Sequence, residues 1–288
     1  MIAKPLRPLL LLAAMAFSAA HSLTAANSFH DRFDTLDSNV WETGNSVTYP
    51  SDFLRTQNIS GTNYLNFRRN IDGETSTGTG STFLYYKGTP DFVPGGQIAD
   101  FTLDVVIRIS QTGNSDSAGV AFRMSSTDYS STAKTGYYLG IDKYRTTSSG
   151  SDGTPYLKLY KNPNGSAVST DALSNTPPKD RVTLLASDPL VGGLDLDTDY
   201  TLRLRVEGSV IEASLYKPGV DDPIASLSIN NAEYLNAGFL GLRTHNTNYG
   251  TSVYYRDFNV AAIPEPSTAA LAGLMLGGML LMKLRSRR

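Results

Sequence analysis

The sequence predicts an all-β protein, an antiparallel two-sheet sandwich, and three observations lead there. Between residues 27 and 262 no stretch holds the 3.6-residue apolar period of an amphipathic helix. Short runs alternate apolar and polar residues instead, separated by clusters of Gly, Ser, Thr, Asn and Pro. Such alternation gives each strand one core face and one wet face, which is the antiparallel pattern. Finally, the stretch between the two chain ends is roughly 240 residues, enough for one large all-β domain with a substantial core.

Taken in order, the body opens with Ser28-Phe29-His30-Asp31-Arg32-Phe33, followed by Trp41, the sole tryptophan, as a core residue. Strands are expected at 64–68, 81–86 and 100–110. In the last of these Phe101, Leu103, Val105, Ile107 and Ile109 share one face against Thr102, Asp104 and Arg108 on the other. Further strands are expected at 118–124, 136–142 and 156–161. The polar stretch 162–181 carries Pro163, Pro177 and Pro178, and loops of that length are either functional or without fixed structure. After a strand at 182–186, a hairpin joins 200–206 to 210–217 through Gly208-Ser209, with Leu202, Leu204 and Val206 inward. Strands at 224–229, 239–244 and 251–260 bring the total to about a dozen. No internal repeat or boundary divides this region, so it reads as one domain, 27–262.

Both ends read as topogenic. Residues 1–26 have the plan of a secretory signal peptide: Lys4 and Arg7, an apolar core at 9–20, and small residues near Ala25-Ala26. At the other end Pro264-Glu265-Pro266 precedes an uncharged apolar run, 267–282, that would extend roughly 24 Å as a helix. That is just short of a bilayer core of about 30 Å, a gap closed by snorkelling and slight thinning. Lys283, Arg285, Arg287 and Arg288 follow, and such a basic end stays in the cytoplasm, leaving the body outside.

The chain's formal charge of −2 hides a division. Two of its 25 basic residues lie in the first 26 positions and four in the last six, leaving 19 in residues 27–266 against all 27 acidic residues, a net −8. An acidic body without a basic cluster excludes nucleic acid and anionic lipid as partners. With no cysteine, packing rather than disulfides must stabilise an exported fold, with a metal ion as the one other available aid.

Motifs for chemistry are sparse. Asp195-Leu-Asp197-Thr-Asp199 is the nearest approach to an acidic triplet on one strand face, but it holds no glutamate and precedes a strand. The same aspartates are spaced to offer calcium hard oxygen ligands. An EF-hand loop would need Gly and Glu where Tyr200 and Val206 stand. Asp31 and Asp257, in the opening and closing segments, form a second candidate calcium pair. No other cofactor is expected. Sugar recognition calls for aromatic faces beside polar groups, for which Tyr86, Tyr138 and Arg123 are the candidates.

The C-terminal arrangement closely resembles the PEP-CTERM sorting signal of bacterial surface proteins, carried by Pro264, Glu265 and Pro266, the short helix 267–282 and the basic tail 283–288. The resemblance implies processing by an exosortase near that motif, beside signal peptidase at the other end. The body resembles the concanavalin A-like (laminin G-like) jelly-roll family. Its opening Phe29-His30-Asp31-Arg32-Phe33 carries the likeness, with Ala118–Arg123 followed by Gly136–Gly140, Tyr200–Gly208, and the closing Gly238–Leu242 and Tyr255–Phe258. That likeness implies a jelly-roll sandwich and brings forward glycan binding or glycan cleavage. Laminarinase-like members carry Glu-x-Asp-x-Glu, which is missing here. The sequence thus describes an exported surface or matrix protein without catalytic activity, held briefly in the inner membrane. The alternatives are a carbohydrate-binding module for extracellular polysaccharide and, behind it, a glycan-active enzyme.

Overall fold

The computed structural model describes residues 28–43, 54–68, 80–110, 116–127, 135–143, 154–161, 183–246 and 252–263. Signal peptide, stretch 162–181, sorting motif, apolar run and basic tail lie outside the described residues. Among the described residues no helix is long and apolar enough to cross a membrane. Among the described residues every regular element is a strand, sixteen in all, and they form two eight-stranded sheets.

The first sheet runs β14 (Ala225–Asn230), β13 (Val210–Tyr216), β12 (Asp199–Glu207), β7 (Phe101–Ile109), β16 (Ser252–Ala262), β4 (Thr62–Arg68), β3 (Leu54–Ile59), with β1 (Ser28–Asp31) also paired to β16. The second runs β11 (Thr183–Pro189), β10 (Pro155–Lys161), β9 (Tyr137–Lys143), β8 (Asp116–Met124), β15 (Gly238–Asn246), β5 (Gly80–Tyr86), β2 (Trp41–Thr43), with β6 (Gln97–Ile98) on β15. The strands give the antiparallel two-sheet sandwich that the alternation predicts, and neighbours distant in sequence, such as β7 beside β16 and β8 beside β15, give the jelly-roll order that the resemblance implies. Strand β7 shows it most plainly, alternating between buried and less buried side chains along its whole length. The hairpin at Gly208-Ser209 forms as expected, with Glu207 opposite Val210.

The opening and closing segments, expected as adjacent strands, are β1 and β16, and they pair. Three strands escape the sequence reading: β2, β3 and β6. All are short or mixed in composition and lie at sheet margins or off the main path, where pairing needs no full apolar alternation.

The core fills the space between the sheets. Phe101 of the first meets Phe122 of the second edge-on, centroids 6.0 Å apart. Near the chain's ends Phe29, Phe33 and Phe258 pack on Trp41 and Tyr86, with Trp41 and Phe258 at 5.0 Å. Trp41 is thus a core residue, as expected, and its indole N–H donates to Asp31 Oδ2 at 2.7 Å. Deeper in, the Tyr255 hydroxyl crosses between the sheets. It accepts from Gly119 N–H and donates to Arg243 O, both at 2.8 Å.

Candidate functional site

A polar cleft of about 260 Å³ opens on the first sheet where β1, β4 and β16 meet, lined by Arg32, Asp34, Gly61, Thr62, Asn63, Arg256 and Asp257. Three local devices build it. After β1 the Asp31 carboxylate accepts the Phe33 N–H at 2.6 Å and holds Phe33 in the left-handed region at φ 57°. That turn drives Phe33 into the core and leaves Arg32 and Asp34 exposed on either side of it.

The second device is the β3–β4 hairpin. Its two-residue turn, Ser60-Gly61, has φ of 52° and 87°, the positive pair that suits the twist of a tight hairpin. Gly61 N–H donates to Asn58 Oδ1 at 3.0 Å, Asn58 Nδ2 to Asn63 Oδ1 at 2.7 Å, and Asn63 Nδ2 to Asp34 Oδ1 at 2.8 Å. One wall is therefore tied to the other by a short chain of amide hydrogen bonds.

The third device is a break in the alternation of β16. Tyr255 and Phe258 are both fully buried although three positions apart, which a regular strand forbids. Asp257, at φ 51°, resets the alternation in the manner of a bulge and leaves both Arg256 and Asp257 lining the cleft. The guanidinium of Arg256 lies 3.2 Å from Asp199, 3.4 Å from Asp257 and 5.5 Å from the Tyr64 ring centre. Tyr64 donates its hydroxyl to Asp199 at 2.8 Å. Burial, then this hydrogen bond, pushes the phenol above its usual range, so Tyr64 remains a donor.

None of the residues predicted to bind sugar lines this cleft. Tyr86 is a core residue, its hydroxyl on Phe92 O, and so offers no ring face to a ligand. Arg123 is 2% exposed and spans Ala99 O, Tyr234 O and Asp100, an internal strut rather than a surface contact. Tyr138 is buried on the face of the second sheet that points away from the core. There its ring stacks on Tyr160 and carries the Arg243 guanidinium at 4.6 Å.

The aspartates proposed for calcium do not converge on a common point. Asp195 pairs with Lys217 at 2.5 Å, Asp197 with Arg108 at 3.5 Å, and Asp199 with Arg108, Arg256 and Tyr64. Asp31 and Asp257 do lie on paired strands, since Asp31 sits opposite Phe258. The Asp31 oxygens, however, take Phe33 N–H and Trp41 Nε1, whereas Asp257 faces Arg256 and His30. Among the described residues no three His, Asp or Glu side chains are grouped to hold a metal ion. Asp257, a calcium candidate from the sequence, lines the cleft. Asn58-Ile-Ser-Gly-Thr-Asn63 carries a turn signal that marks the hairpin, while nothing local marks its meeting with Asp34.

No protein-family model matches the chain, and no curated protein matches it in sequence. Solved structures share its fold. The Ca2+-bound exoplasmic/lumenal domain of VIP36 matches with a TM-score of 0.54 at 11% identity, over 84% of this chain and 92% of that one. The CBM2 module of the evolved Dit of Lactobacillus casei BL23 phage J-1 matches at 0.51 and 9% identity, over 84% of this chain and all of that one. The chain thus has the jelly-roll sandwich found in lectins and carbohydrate-binding modules.

Proposed function

We propose that this protein is an exported, non-catalytic carbohydrate-binding module and that the cleft beside β16 receives the glycan. The observation that carries this reading is the cleft's lining. Carboxylates, an amide, a hydroxyl and guanidinium groups stand close together on backbone fixed by two turns and a bulge. Adjacent sugar hydroxyls each donate and accept, and preformed clusters of this composition suit them. The fold supports it, since a VIP36 domain of the same fold is known in a Ca2+/Man3GlcNAc-bound form, with a TM-score of 0.52. Against a hydrolase, Asp195 and Asp197 precede β12, and all three aspartates of the nearest acidic triplet are paired to cations. Titrating the mature protein with a panel of oligosaccharides tests the reading. Binding to one class, lost in Asp34→Ala and Asn63→Ala variants that still fold, is expected; no binding across the panel overturns it.

The sequence supports a second element of the reading, that an exosortase cuts near Pro264-Glu265-Pro266 and releases the body to the surface or matrix. Mass spectrometry of the exported protein checks this, and a C-terminus intact to Arg288 overturns it.

A further inference from the structure

We infer that the cleft selects acidic glycans, with Arg32 as the residue that reads the sugar carboxylate; this rests on the glycan-binding reading above. The argument starts from which charges in the cleft are already committed. Arg256 is held by Asp199 and Asp257, Asp257 also faces His30 at 3.6 Å, and Asp34 accepts the Asn63 amide. Arg32 differs from all of these. It is exposed, it lines the cleft, and among the described residues it makes no ion pair or hydrogen bond. Elsewhere on the same sheet Arg108, Arg203 and Arg205 each face a carboxylate. Arg55 of β3 is exposed and makes no ion pair among the described residues either, but it does not line the cleft, so Arg32 is the uncommitted guanidinium that does.

Its backbone is fixed although its side chain is not. Asp31 and Phe33, on either side, are locked by the Asx turn, by the Trp41 indole and by complete burial of the Phe33 ring. Arg32 therefore projects from a rigid base next to the acceptors Asp34 and Asp257. A guanidinium presents a planar fork that matches a carboxylate through two parallel hydrogen bonds. A uronic acid supplies that carboxylate to Arg32 and vicinal hydroxyls to Asp34, Asn63 and Asp257. A neutral hexose satisfies the second set and leaves the first unused.

The test is calorimetric titration of the mature protein with a panel of uronate-containing oligosaccharides, each paired with its carboxyl-reduced, neutral counterpart, at fixed ionic strength. The expected result is that the tightest ligands are acidic and bind about tenfold or more tighter than their reduced partners. Arg32→Gln should erase that difference by weakening the acidic ligands far more than their neutral counterparts, and Arg32→Lys should restore part of it. Equal affinity for acidic and neutral members, or a preference that survives Arg32→Gln, overturns the inference but leaves the glycan-binding reading standing. Absence of binding to every member overturns both.

Discussion

The outer faces of the two sheets use the same kinds of residue to opposite ends. On the first sheet, Arg203 faces Asp104 at 3.5 Å and packs on Tyr216 at 4.7 Å, and Arg205 reaches both Glu207 and Glu212. These side chains are roughly half exposed, so water screens them and each pair contributes little. On the second sheet, Lys158 and the Tyr160 hydroxyl each donate to Asp142 at 3.0 Å, next to the Tyr138 ring and the Arg243 guanidinium, and all of them are buried. Glycine makes that arrangement possible. A Cβ at Gly140 would stand 2.3 Å from the Tyr138 hydroxyl, so the ring lies flat over a position kept empty for it. Phe83 lies against Gly241 in the same way. A residue type therefore says little about energetic weight until its solvent is known.

Alkali should break the contrast most completely. Burial, reinforced by Asp142, raises the Tyr160 phenol well above its ordinary range, and burial does the same to Tyr255. A raised folded-state value means that the protonated phenols stabilise the fold fully below the unfolded value of about 10. That stabilisation is lost as pH climbs from there through the folded-state values. Circular dichroism should show cooperative unfolding above pH about 10, whereas ionisation of all sixteen tyrosines in a still-folded domain would contradict the burial.

Asp142→Ala comes next. It takes the shared carboxylate away from Lys158 and the Tyr160 hydroxyl in a buried site and should cost about 3–5 kcal/mol in urea unfolding. A loss under about 1 kcal/mol would mean that the face is wet. Gly119→Ala follows, because its Cβ would meet Leu139 O at 2.0 Å with only backbone to yield, for a loss of about 1–3 kcal/mol. Glu212→Ala on the other outer face should change stability by no more than about 1 kcal/mol, and that little should fade in 1 M salt. Smallest of all is chelation. Because Asp195, Asp197 and Asp199 are spoken for by cations, EDTA should move the melting temperature by less than about a degree, whereas a structural ion would give a drop of several.

The parts of the fold that obey a local rule were readable from sequence. The alternation of Phe101 to Ile109, the hairpin at Gly208-Ser209 and the burial of Trp41 all follow from short-range pattern and composition. The parts that depend on what lies opposite were not. Tyr86 and Tyr85 are consecutive, and alternation guarantees different faces without telling which is core. Arg123 stands near the end of a largely apolar strand, and its partners Ala99, Asp100 and Tyr234 come from distant loops. The cleft is less visible still, since it needs Asp34, Asn63 and Asp257 from three separated segments and a bulge that only the burial of both Tyr255 and Phe258 reveals.

The pairing of Ser28 with Ala261 has a mechanical consequence. Strand β16 is interior to the first sheet, flanked by β7 on one side and by β4 and β1 on the other. Tension applied beyond its C-terminal end and resisted at the opposite end of the sheet acts along the strand, so its flanking ladders must shear together rather than unzip one bond at a time. Resistance to such a pull is set by the unfolding rate rather than by equilibrium stability. A domain loaded through β16 is thus suited to hold under force, and with Ser28 and Ala261 side by side, a short bridge between them would relocate the point of loading without redrawing the sheet.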